Sequence, residues 1–155
     1  MRGRESVDNL YEPTLADLDE RPAGSDPPWR LDSQGYVAFF GGPLAAAVVG
    51  VLNGRRLGLD RDRLLAIGAI GVVGLAVAIA AYALIGFEGR TPRLLLAVAG
   101  ILTYLGTRKL QQPADRLFQM HPDTDEDSYD SLWGTGFLIV VVCGLGSVAL
   151  VGAIG

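Results

Sequence analysis

The residue types that could do chemistry are few in this chain, and their spacing does not suit catalysis. The sequence of 155 residues contains one histidine and one cysteine, which is too few for a His and Cys metal cluster. No HExxH sequence, paired intramembrane aspartate or phosphate-binding glycine loop occurs. The sequence therefore predicts a protein that is not an enzyme and that holds neither a metal nor an organic cofactor.

One acidic stretch has spacing that is typical of a cation site. Asp123, Asp125 and Asp127 match the start of a calcium loop. The sixth position of that loop is Ser128 where glycine is required, and the twelfth is Gly134 where glutamate is required. We therefore expect a solvated acidic loop without a bound ion.

The elements that must position these groups are four long apolar runs. Half of the residues are hydrophobic and 19% are charged, and a helix needs roughly 20 apolar residues to cross a hydrocarbon layer of about 30 Å. The sequence predicts an all-α polytopic membrane protein in which residues 36–155 form a four-helix transmembrane domain. The four transmembrane helices are expected at about 36–54, 64–86, 92–109 and 133–155.

The first run contains a helix-breaking pair, Gly42 and Pro43. A helix that began only at Pro43 would cover about 14 residues, or ~21 Å, before Arg56 and would not cross the bilayer. We therefore expect the helix to include the residues from Tyr36 onward, with a kink at Gly42 and Pro43.

An acidic, proline-containing segment, residues 1–35, precedes the first run. Its few large apolar residues predict a disordered tail. The alternative is a peptide that docks on a partner, because Tyr11, Leu15 and Leu18 fall at i, i+4 and i+7 on one helical face.

Basic residues predict the orientation. Arg55, Arg56, Arg61 and Arg63 lie within nine residues after the first run, and short loops rich in arginine remain in the cytoplasm. The predicted protein is a multi-pass protein of the cell (inner) membrane. With four spans, this orientation places both of its termini on the outer side of that membrane. The formal net charge of −4 argues against a nucleic-acid partner.

Small residues at helical spacing predict close helix packing, since helices in lipid associate where their backbones can approach. These residues pack the four helices together, or dock a second copy or another membrane subunit in the lipid bilayer. Two functions follow: a non-catalytic membrane subunit or scaffold, or alternatively a homo-oligomeric pore. The predicted packing residues are Gly50, Gly54, Gly68, Gly71, Gly74, Ala76, Ala80, Gly144 and Ser147.

The sequence from Phe39 to Ala45 (FFGGPLA), followed by Asn53 and then by Arg56-Leu57-Gly58, resembles the opening span of small bacterial multi-span membrane proteins. That group has no assigned activity. The resemblance covers about 20 of the 155 residues. It implies a bacterial polytopic protein and transfers no functional residue.

Overall fold

The computed structural model describes residues 26–85, 91–120 and 128–152. The docking peptide predicted at Tyr11, Leu15 and Leu18 lies outside the described residues, and so does the acidic stretch that begins at Asp123. Residues 26–35, by contrast, differ from the disordered tail expected there. Trp29 is 2% exposed and packs in the main hydrophobic cluster.

The described chain is all-helical, as predicted. A short 3-10 turn, Leu31–Ser33, leads into four helices. Three described helices are long and apolar enough to cross a membrane, and these are α1, α2 and α4. The expectation of four spans is therefore confirmed only in part. The helices are α1 (Gln34–Arg56), α2 (Arg61–Ile85), α3 (Thr91–Met120) and α4 (Trp133–Gly152).

The third helix is longer than predicted and less apolar than the others. It continues through Pro113 to Met120, beyond the predicted end near residue 109. Proline removes one backbone hydrogen bond, which a helix tolerates when its packing supports the rest. The last turns carry polar groups, including the buried side chain of Asp115.

The first helix does not run straight. Gln34 and Asn53 both bind Gln111, at 3.4 and 3.0 Å, although 19 helical residues would separate them by about 28 Å in a straight helix. Residues 34–41 and 43–56 therefore form two half-helices that fold back on each other, and we call residues 34–56 the hairpin. The break lies at the predicted residues, Gly42 and Pro43, but it is a reversal of the chain and sharper than the predicted kink.

The reversal occurs at the glycine and proline that the sequence marks. Gly42 has φ 74° and ψ −165°, a backbone region open essentially only to glycine. Pro43 then begins the second half-helix, where its fixed φ suits the first turn and its missing N–H needs no partner.

The hairpin is the centre of the fold, since it contacts all three other helices, whereas α4 makes few contacts with α2 and α3. Glycines bring each of these helices close to the turn. Gly71 of α2 lies against the carbonyl of Pro43, Gly100 of α3 against that of Ala38, and Gly144 of α4 against that of Phe40. Close approach of backbones in this way is how helices pack without long side chains.

Candidate functional site: the polar cap

Polar side chains collect at the open end of the hairpin, and we call this group the polar cap. Its members come from the segment before α1, from both half-helices, from α3 and from the segment before α4. They are Trp29, Gln34, Asn53, Arg56, Gln111 and Asp130.

Three buried amides form the centre of the polar cap. Asn53 is fully buried; its Nδ2 donates to Gln111 Oε1 at 3.0 Å, and its Oδ1 accepts the backbone N–H of Trp29 at 2.6 Å. Gln34 and Gln111 exchange hydrogen bonds at 3.4 Å in both directions. Each amide thus has partners for its donor and its acceptor, which removes the large cost of burying them alone.

Arg56 contacts three residues at the exposed edge of the polar cap. The Arg56 guanidinium lies 3.9 Å from the centroid of the Trp29 ring, donates to the Pro27 carbonyl at 2.7 Å and pairs with Asp130 at 2.8 Å. This ion pair with Arg56 lowers the pKa of the Asp130 carboxyl below its ordinary value of 3.8. The Asp130 N–H also donates to the Pro28 carbonyl at 3.0 Å, so the two segments are joined by backbone as well.

A second polar group lies beside the polar cap, on the last turns of α3. Asp115 accepts hydrogen bonds from the Tyr129 hydroxyl at 3.1 Å and from Gln119 at 2.9 Å. Burial raises the pKa of this carboxyl, and burial likewise raises the pKa of Tyr129. Arg108 pairs with Asp32 at 2.7 Å, so α3 also contacts the segment before α1.

The residues of the polar cap are better suited to fix chain segments in place than to catalyse a reaction. Its buried members are three amides and the Trp29 indole, which are poor nucleophiles and poor bases, and its charged members are paired. Over residues 26–85, 91–120 and 128–152, no group of three or more His, Cys, Asp and Glu could hold a metal ion. The arrangement can therefore fix the relative positions of five chain segments.

The structure divides the predicted packing residues into two sets. Gly50 and Gly54 of the hairpin lie against Ile67 of α2. Three predicted packing residues on the other helices, Gly71, Gly74 and Gly144, also contact the hairpin. Ser147 is fully buried, and its hydroxyl has no hydrogen-bond partner among the described residues.

The remaining predicted packing residues face outward. Gly68 has no atom within 4 Å of the position where a Cβ would lie, and Ala76 and Ala80 are exposed on α2. Spacing alone could not separate these from Gly71, because both sets recur at helical intervals. The inward face is marked only by contact with the hairpin.

The four arginines that predicted the orientation lie at the same end of the molecule as the polar cap. Arg56 belongs to the polar cap, while Arg55 and Arg61 are exposed. Arg63 pairs with Asp60 at 3.6 Å. Arg56 and Arg63 thus have separate acidic partners.

Sequence reasoning missed most of the polar cap. Gln34 and Gln111 are separated by 77 residues, and neither belongs to a recognisable motif. Asn53 was visible as a polar residue near the end of an apolar run, but its partners depend on the fold-back. Comparison of the chain with family models, curated proteins and solved structures gives no match.

Proposed function

We propose that this protein is a non-catalytic integral membrane subunit or scaffold that assembles through small-residue helix faces, with itself or with another membrane subunit. Three helices apolar enough to cross a membrane support residence in the lipid bilayer. We assign it to the cell membrane of a bacterium. The polar cap supports a role in fixing chain segments in place, since its three amides and its ion pair are satisfied within the cap.

The observation that carries the proposal is the outward face of α2. Ala69, Ala76 and Ala83 are exposed and recur every seven residues, and Ala80 lies beside them. The inward face of the same helix, with Ile67 and Ala78 buried, already packs within the chain. A repeat of small residues on the free face permits close approach of another helix in lipid.

The test is the oligomeric mass of the purified protein and of two variants. Ala76→Leu places a large side chain on the small-residue face, and we expect it to shift the assembly toward the monomer. Ala149→Leu, on the exposed face of α4, is the matched control and should leave the mass unchanged. A wild-type protein that is monomeric in mild detergent and co-purifies with no partner would contradict the proposal.

A second candidate function is a homo-oligomeric pore, and the broken first helix favours it. Non-helical backbone at bilayer depth occurs where it is buried in protein or lines a water-filled cavity, as in channels and transporters. Here the turn at Gly42 is covered by glycines of three helices, so a conduction path would lie between protomers. Ion flux in liposomes that contain the purified protein, abolished by Ala76→Leu, would favour the pore over the scaffold.

A further inference from the structure

We infer that the hairpin enters and leaves the membrane on the same face, so that the chain crosses three times and residues 26 and 152 lie on opposite faces. The inference rests on the membrane residence proposed above, but not on any function or oligomeric state. It replaces the expectation of four crossings with both termini outside.

The first support is length. The half-helix of residues 34–41 extends about 12 Å and that of residues 43–56 about 21 Å, whereas the hydrocarbon layer measures about 30 Å. Neither half-helix can cross alone. Because Gln34 and Asn53 meet at one residue, Gln111, the two together return the chain to the level at which it started.

The second support is the depth of the turn. Gly41 lies against Val140, near the middle of α4, and Pro43 lies between Gly71 and Gly74, near the middle of α2. Beyond these contacts α2 continues to Ile85 and α4 to Gly152, which adds about 16 and about 18 Å of helix. The hairpin therefore reaches roughly the centre of a layer that α2 and α4 cross completely, and α3 must cross it as well because it joins the far end of α2 to the start of α4.

The third support is the distribution of charge. Once the first run is a hairpin, the segment before it and the turn after it lie on one face, with the last turns of α3. Lys and Arg of the described residues then fall almost entirely on that face, whereas Arg93 lies at the opposite end of α3. Four straight spans would instead place Arg30 on the face opposite Arg55 and Arg56.

This charge distribution fixes the direction, because positively charged segments remain in the cytoplasm. The polar cap therefore faces the cytoplasm, and the end of α4 faces outward. The segment that joins Met120 to Ser128 begins and ends on the cytoplasmic face.

The experiment is cysteine labelling of the full chain in spheroplasts of a bacterial host. The native thiol is removed by Cys143→Ser, and single cysteines are introduced by Asp26→Cys, Asp62→Cys or Gly155→Cys. Asp26 and Asp62 are both exposed. In the sequence, Asp26 precedes the hairpin and Asp62 follows it. A membrane-impermeant maleimide is applied before and after permeabilisation.

We expect the first two cysteines to react only after permeabilisation and the third to react in intact spheroplasts. Opposite behaviour of the cysteines at 26 and 62 would show a straight first span and overturn the inference. Identical behaviour of all three in the membrane fraction would also overturn it. Recovery of the protein in the soluble fraction would instead refute membrane residence, and with it the proposed function.

Discussion

Replacement of Gly42 by alanine tests the fold-back at the residue that makes it possible. The φ of 74° and ψ of −165° at this position are accessible essentially only to glycine, and a side chain there costs of order 1–3 kcal/mol. The added Cβ would meet Leu96 at 3.6 Å or more, which is ordinary contact. The expected loss is therefore backbone strain alone, about 2 kcal/mol, or roughly 4–8 °C in Tm for a chain of this size.

The assay is thermal unfolding in detergent, followed by far-ultraviolet circular dichroism. The matched control is Gly68→Ala, because Gly68 lies in α2 and has open space around it. Alanine is the better helix former by about 1 kcal/mol, so this control should unfold at a slightly higher temperature than the wild type. A Gly42→Ala variant as stable as the wild type would refute the reasoning, since a continuous helix would accept alanine without strain.

Three further substitutions test the contacts around the hairpin. Gly100→Ala would place a methyl group against the Ala38 carbonyl and 2.9 Å from the Gly42 Cα, so we expect a loss of about 1–3 kcal/mol; an unchanged Tm would be evidence against this packing. Asn53→Leu leaves the buried Trp29 N–H without its acceptor and removes the nearer of two donors to Gln111 Oε1, which should cost about 1–3 kcal/mol; urea unfolding in mixed micelles measures it, and an unchanged midpoint would contradict the assignment. Asp130→Asn removes a partly exposed ion pair with Arg56 and should lower stability by about 0.5 kcal/mol at neutral pH. Because the pKa of Asp130 is lowered from 3.8, its contribution is present above that value and is lost as the pH falls below it. The Tm difference between this variant and the wild type should therefore disappear in acid, and a constant difference would contradict the assignment.

The helices could be predicted from the sequence because long apolar runs have few other stable forms. The course of the first helix could not, since its 23 residues are also long enough for one crossing. Gly42 beside Pro43 marks the position of the break. The pair is compatible with a kink in a crossing helix and with a reversal, so the sequence alone does not distinguish the two.

The polar cap depends on that reversal, which is why it could not be assembled from the sequence. Gln34 and Gln111 carry no local pattern that pairs them, and Asn53 reaches Gln111 only because the second half-helix returns along α3. The small residues illustrate the same limit. Gly68 and Gly71 have the same chemistry, yet only Gly71 contacts the hairpin, and which face is covered is a property of the tertiary fold.

The most direct test of the fold-back is the distance between spin labels introduced by Asp26→Cys and Arg55→Cys in a Cys143→Ser background, measured by pulsed electron paramagnetic resonance. Both native side chains are exposed, and the neighbouring pair, Arg56 and the Pro27 carbonyl, is in contact at 2.7 Å. A straight helix from residue 34 to residue 55 would hold the labels about 32 Å apart or more, whereas the hairpin predicts at most about half of that distance. A distribution centred beyond 30 Å, as ~1.5 Å per residue requires of a continuous helix, would contradict the account.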